Sequence, residues 1–461
     1  MFAQTYRAYI WIEKGFYNFI IYTVCENIED IKKLFSANGV KRIIAKSLSA
    51  NDNSKNQIYL GGDFSALNII PHQEILTDFK SKAGSKRDRA KAKLNFIWVN
   101  TSGQYKAPHA QLILYPKYPE VRLSGFLLGC QKAPSDVMTA RVSGRVLFLG
   151  ITENGQILGY AAAADSLLAK QFMTQRDLRE VGVFYEVPLS ATADTRAELL
   201  STLRKIYLKH WIESKRLKAD GTEMPYSALN AGGYTLEAEL GVTPNSYAKP
   251  DFLGWEIKQY SVDDFEAYRA KSPVSLFTPE PTGGYYKDEG VIPFVDRYGY
   301  ADKRGRPHRK NFGGIYKYGT SYNKDTQLKL SLIGYNEHKG IITDMAGGVA
   351  LLDKNNEPAA LWNFPSIIEH WNRKHAKAAY VPSLFRKPPP EYRYGPKVCL
   401  CEGTDFSLFL KALLKSSVYL DPAIKVIRSP ENKINVKRRN QFRINHRHLS
   451  QLYNKSEVVS L

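Results

Sequence analysis

At 461 residues the chain is longer than one ordinary hydrophobic core accommodates, so we expect two domains. Hydrophobic content of 43% with 12% aromatics excludes a disordered scaffold. Lys and Arg number 65 against 45 Asp and Glu, and the resulting net charge of +20 favours a polyanionic partner, nucleic acid ahead of anionic lipid.

The first apolar patch, Phe16 to Cys25, is preceded by Arg7, Glu13 and Lys14 and followed by Glu26, without a small-residue cleavage site, and reads as an internal strand. No uncharged apolar run approaches the roughly 20 residues that cross a bilayer. We therefore expect a cytoplasmic protein with no membrane partner.

Short runs rich in β-branched and aromatic residues follow: Arg42 to Ile44, Gln57 to Leu60, Phe96 to Val99, Gln111 to Tyr115 and Arg145 to Ile151. Asn53-Ser54, Gly61-Gly62, Ser102-Gly103 and Asn154-Gly155 separate them, which predicts a mostly β domain over residues 1–175, a barrel or sandwich. Within it, Lys80 to Lys93 carries seven basic residues and one acidic one, a solvated loop or a phosphate contact.

A helix is predicted over Ala161 to Phe172, and a second amphipathic one begins at Asp194, with Leu199, Leu203, Ile206, Tyr207 and Trp211 on its apolar side. From about residue 176 to the end, strands and helices alternate, which predicts a mixed α/β domain over residues 176–461. Lys387-Pro388-Pro389-Pro390 reads as a stiff surface loop. The four cysteines, 25, 130, 399 and 401, are too few and too scattered for a disulfide framework and read as ordinary buried thiols.

Chemistry concentrates between Gly233 and Lys258. On a strand, Glu256 and Lys258 project to one side while Trp255 and Ile257 pack on the other, and Asp251 enters from the preceding turn. Phe252, Leu253, Trp255 and Ile257 make this a buried strand, where charge is costly unless it is employed. Asp251 and Glu256 supply the hard oxygen donors that suit a divalent cation such as Mg2+. A phosphodiester repels hydroxide, and a bound cation offsets developing charge and acidifies its water. Lys258 would position or deprotonate that water, or stabilise the pentavalent phosphate.

Gly233-Tyr-Thr-Leu-Glu237, the Asp251, Glu256 and Lys258 set and Ser275-Leu276-Phe277-Thr278 together resemble the MvaI/BcnI family of restriction endonucleases. The likeness extends to Asn440 through Ile444 and Leu449 through Tyr453. It implies a magnesium-dependent restriction-endonuclease-like nuclease domain in which Glu237 joins Asp251, Glu256 and Lys258 as catalytic residues. Leu236 and Leu240 would anchor the Glu237 helix and Gly241 would end it, while Glu239 reads as an exposed helix acid. The resemblance further implies a monomer, and base readout by the segment from Asp421 to Arg443, for which a charged surface is the competing reading.

Ala45-Lys46-Ser47-Leu48-Ser49-Ala50-Asn51-Asp52, followed by Gln57-Ile58-Tyr59-Leu60, looks like the effector-binding domain of EcoRII-type endonucleases. That likeness implies a β-barrel-like DNA-binding domain gripping the major groove with two arms, Lys46 to Asn56 and Lys117 to Arg122. Arg122 would grasp guanine, Ser49, Asn51 and Asn56 line the first arm, and Glu120 would accept from cytosine. Lys46 and Lys117 would meet phosphates. The competing reading is a surface hairpin with a Glu120 to Arg122 ion pair.

Further basic candidates are Lys303 to Lys310, the His370 to His375 helix and Lys437-Arg438-Arg439. His370 and His375, five apart, make a poor metal pair. Taken together these features predict a type II restriction endonuclease cutting double-stranded DNA at a short, GC-rich site, which the two resemblances imply to be CC-x-GG-like. A cognate methyltransferase would protect the host. The rivals are a catalytically silent DNA-binding regulator and a nuclease of other specificity.

Overall fold

A computed structural model describes residues 25–77, 89–100, 103–175, 177–189, 195–228, 230–243, 250–429 and 433–461. The strand expected before Cys25 and most of the Lys80 to Lys93 stretch lie outside them. No described helix is long and apolar enough to cross a membrane.

The amino-terminal half opens with the helix Ile28–Ala37, closed at its start by a capping box between Asn27 and Asp30. Ile28, Ile31, Leu34 and Phe35 fall on one face and are buried against a seven-stranded sheet. That sheet centres on Val40–Leu48 and Arg145–Thr152, antiparallel neighbours. A five-stranded sheet runs in the order Ile58–Tyr59, Glu120–Ser124, Gln111–Tyr115, Ala90–Lys93, Ile75–Thr77. Ile44, Leu48, Ile58, Trp98, Leu112 and Leu123 share the core these sheets help to form.

Both sheets are open among the described residues, and neither closes into the expected barrel. Alternation of inward and outward side chains is common to sandwiches and barrels, so it cannot predict closure. The seven-stranded sheet includes Arg179–Val181 and Phe184–Val187, so this β-rich unit reaches beyond residue 175. The helix expected from Ala161 begins later: Ile157–Ala162 is a strand, and Leu167–Thr174 is a helix capped by Ser166. The small residues there suited either state, and pairing with Arg145–Thr152 decided it.

In the carboxy-terminal half, the long strand Lys377–Arg386 organises a six-stranded mixed sheet. Glu256–Ser261 runs parallel along one side of it, with Glu256 opposite Ala378 and Lys258 opposite Tyr380. Lys397–Glu402 and Glu391–Tyr394 pair antiparallel with it. Helices Thr195–Leu208 and Ala231–Glu239 supply Leu199, Leu203, Ile206, Leu236 and Leu240 to a core that also holds Trp255 and Ile257. Lys387 to Pro390 forms the turn between two strands of this sheet. Cys25 and Cys401 are buried as expected, whereas Cys130, in the loop after Glu120–Ser124, and Cys399, on the strand Lys397–Glu402, are only half-buried.

The halves share one continuous apolar core and are also joined by polar contacts. Phe64 N donates to Asp405 Oδ1 at 3.0 Å, Asn68 Nδ2 donates to Thr404 O at 3.0 Å, and Arg179 pairs with Glu402 at 3.1 Å. Glu402 lies 4.0 Å from Lys377, whose ammonium sits over the Trp255 ring, next in sequence to Glu256.

Candidate active site and nucleic-acid interface

A tight reversal sets the acids. Leu253 and Gly254 both take positive φ, and Phe252 and Trp255 exchange backbone hydrogen bonds of 3.0 and 2.8 Å across the turn. Such a two-residue turn needs left-handed backbone at both central positions, which is why glycine stands at the second. The turn brings Asp251 back beside the strand it precedes, and its Oδ2 accepts from Ile257 N at 2.8 Å.

Glu256 opens the strand with its side chain 2% exposed. Trp255 and Ile257 pack into the core on the opposite face, as alternation requires. Lys258, two residues on, returns to the Glu256 side and places Nζ 2.5 Å from Glu256 Oε1. Burial alone would push the Lys258 ammonium toward neutrality. Glu256 first, then Asp251 and Glu237, outweigh that and hold its pKa above the ordinary lysine value. The three acids singled out in the sequence, Glu256, Asp251 and Glu237, therefore all bear electrostatically on the Lys258 ammonium.

Glu237 lies on the helix Ala231–Glu239 and bears on the Lys258 ammonium through its charge. Leu236 and Leu240 anchor that helix, and Gly241 N donates to Ala238 O while Val242 N donates to Glu237 O, closing its end with Gly241 at φ +72. Glu239 is not the exposed acid expected: its side chain is 3% exposed and pairs with Lys209 at 2.6 Å and Lys215 at 2.8 Å. Burial raises a carboxyl's pKa, but these two cations overcome it and hold Glu239 below the ordinary glutamate value. Sequence spacing gave no sign of the distant lysine partners.

The donor set matches a hard cation in kind, since Asp251 and Glu256 offer carboxylate oxygens beside one another. Among the described residues, no three acid, His or Cys side chains gather closely enough to cage a metal ion by themselves. Asp251 and Glu256 would hold such an ion as two donors, with water and substrate oxygens completing its shell.

In the other half, Lys46, Ser49, Asn51, Asn56 and Arg122 all border one open concavity of about 640 Å³, together with Tyr59. The first arm is tied down from beneath. Arg145, 1% exposed, donates to Ser49 O at 2.8 Å, Asp52 O at 2.9 Å and Val142 O at 2.8 Å. Asp52 accepts from Lys46 Nζ at 2.7 Å and from Tyr59 N at 2.9 Å. Lys46 is consequently buried in an ion pair instead of standing out toward a phosphate. Arg145 was visible in sequence only as the first residue of an apolar run.

Arg122 pairs with Glu120 at 2.8 Å and lies over the Tyr115 ring at 5.3 Å, so the expected hairpin ion pair is present. Lys117 sits in the turn ahead of the Glu120–Ser124 strand. Asp421 and Arg443 are joined at 2.8 Å, and Arg443 also donates to Pro273 O. His375 stacks on Trp371 at 4.1 Å in the helix Phe364–His375 and is buried, consistent with a packing role.

The MvaI/BcnI restriction endonuclease family model matches residues 200–453. Two solved structures are similar to this chain. One, "Restriction endonuclease MvaI-cognate DNA substrate complex", is 18% identical with a TM-score of 0.44, over 58% of this chain and 99% of that one. The other, "Restriction endonuclease MvaI in the absence of DNA", is 16% identical with a TM-score of 0.33, over 59% of this chain and 99% of that one. No curated protein matches the chain.

Proposed function

Because the chain belongs to the MvaI/BcnI restriction endonuclease family and is thereby a site-specific DNA endonuclease, we propose that Glu237, Asp251, Glu256 and Lys258 form its catalytic centre. The observation that carries this reading is the Glu256 and Lys258 pair on one strand face, Nζ 2.5 Å from Oε1, with Asp251 brought back by the turn and fixed by the Ile257 amide. A structural ion pair needs one acid and one base. A second carboxylate held by a backbone amide, with Glu237 adding to the field at the ammonium, suits a cation held beside a phosphate.

Asp251 and Glu256 hold Mg2+ in this reading. The metal, when bound, offsets charge on the phosphate and acidifies a water. Lys258, charged at neutral pH, donates to a phosphate oxygen and orients the attacking water, and Glu237 sets the position of that ammonium. The rigid turn and the buried Trp255 keep the acids from reorienting, so the site is organised before DNA arrives. Hydrolysis leaves a 5'-phosphate and a 3'-hydroxyl.

The amino-terminal concavity binds target or effector DNA in the manner of an EcoRII-type domain, with Ser49, Asn51, Asn56 and Arg122 at its rim and Lys46 as part of its frame. Asp421 and Arg443 read bases in the nuclease half, their mutual ion pair opening on contact. The enzyme acts as a monomer on a CC-x-GG-like site and is accompanied by a methyltransferase that protects that site. Digestion of plasmid DNA with and without Mg2+, followed by sequencing of fragment ends, tests the reading. Discrete fragments sharing one terminal sequence only with Mg2+ support it; binding without cutting favours a silent regulator.

A further inference from the structure

A four-stranded sheet of the nuclease half, Tyr300–Ala301, Arg309–Gly313, Ala423–Arg428 and Ile434–Lys437, has one buried and one outward face. Phe312, Ile424 and Val426 are buried, so by alternation Arg309, Asn311, Lys425 and Lys437 stand on the other side. Lys425 is opposite Asn311 on one neighbour and opposite Lys437 on the other. Like charges directly opposed weaken an antiparallel pair, so this arrangement costs the isolated protein stability.

The crowding bears on Lys425 itself. Burial, then Arg309, Lys437, Arg306 and Arg439, pull the Lys425 ammonium below the ordinary lysine value. Among the described residues, no carboxylate is paired with Lys425, Lys437 or Arg439. The acid beside this face, Asp302, is 3% exposed at its side chain and holds Arg306 Nε at 3.0 Å, Arg309 Nε at 3.2 Å and Asn311 Nδ2 at 3.0 Å. It thus orients two guanidiniums and leaves the lysines uncompensated.

We propose that this face is a phosphate track for one strand of DNA, formed by Lys425, Lys437 and Arg439, with Arg306 and Arg309 set in place by Asp302. The track uses residues other than the Asp251 to Lys258 set and the Asp421 and Arg443 pair, has Lys425, Lys437 and Arg439 within the segment that this pair bounds, and rests on the endonuclease reading. Its extent favours a polymer over a single phosphate. Adjacent strands lie about 4.8 Å apart, so Asn311, Lys425 and Lys437 cross about 10 Å. A duplex strand carries a charge about every 3.4 Å of axis, so such a row meets several phosphates. Asn311, its amide bonded to Asp302 and Arg309, helps to fix the row that the lysines extend.

The test is the double variant Lys425→Gln/Lys437→Gln, assayed in EDTA for binding to a plasmid fragment that the unaltered protein cuts, across a potassium chloride series. Each lost phosphate contact flattens the log–log salt dependence by about 0.9, so the pair should flatten it by about 1.8. The same variant should melt no lower than the unaltered protein, and higher where the opposed charges are relieved. Lys33→Gln/Lys41→Gln, exposed cations of the other half, should leave the slope as it was. An unchanged slope in the Lys425/Lys437 variant, or a fall in its melting temperature, would overturn the track while leaving the endonuclease reading intact. A wild-type protein that neither binds nor cuts DNA would instead remove that reading and the track with it.

Discussion

Lys258 and Glu256 lie two residues apart on one strand and meet on a single face, Nζ 2.5 Å from Oε1, with the glutamate 2% exposed and the lysine 20%. The pair gives a buried carboxylate a cationic partner next to the position where a metal ion is proposed to bind. Removing the amine alone strands that carboxylate. Lys258→Ala should lower unfolding stability by on the order of 3 kcal/mol in EDTA, measured by urea titration, and adding Glu256→Gln should restore part of the loss. A double variant as unstable as the single one would show that the charge is not the cause.

Metal binding has its own signature apart from cleavage. Saturating Mg2+ should raise the melting temperature of the wild-type protein, by the linkage that gives about 2.7 kcal/mol at 100 times Kd. Asp251→Asn keeps an oxygen able to accept from Ile257 N, so the turn should persist while the Mg2+ shift vanishes. A shift that survives this substitution would remove Asp251 from the metal site.

Glu239 makes the nuclease half acid-sensitive. Its carboxyl, buried but overcome by Lys209 and Lys215, is held below the ordinary value of 4.5. A carboxyl depressed in the folded state adds stability that is fully present above its unfolded value and drains away as pH falls through the folded one. Between pH 5.5 and about pH 3, Glu239→Gln should therefore show a shallower fall in melting temperature than the wild-type protein. Parallel curves would contradict the assignment.

The strand that carries Glu256 and Lys258 was legible because alternation placed these two on one face and Trp255 and Ile257 explained the other. Leu253, expected in that buried strand, is exposed at positive φ in the turn that returns Asp251, a reversal that an apolar side chain does not announce. What the sequence missed comes from far along the chain. Glu239 was read as an exposed helix acid, yet two distant lysines hold it in a nearly buried position, and Arg145, which appeared only as the start of an apolar run, is buried beneath the Ser49 and Asp52 carbonyls. Closure of the amino-terminal sheets was likewise invisible, because strand pairing at their edges leaves no local pattern.

The arm over the concavity separates contact from support. Arg122→Ala removes an accessible guanidinium and should weaken DNA binding by the amino-terminal half by about 1–3 kcal/mol, with melting nearly unchanged. Arg145→Lys withdraws donors from Ser49 O and Asp52 O. It should cost on the order of 3 kcal/mol of stability and weaken DNA binding alongside. Both effects are read by combining calorimetry with fluorescence anisotropy on labelled duplex, and normal binding in Arg122→Ala would remove the second arm from the interface.

The most direct test is single-turnover cleavage of a mapped target duplex in Mg2+, comparing wild-type protein with Lys258→Ala at enzyme concentrations where anisotropy shows equal occupancy of the DNA. The catalytic assignment predicts that the cleavage rate falls by at least about 10²-fold while the duplex stays bound. A variant that binds equally and cuts within a few-fold of the wild-type rate would contradict it.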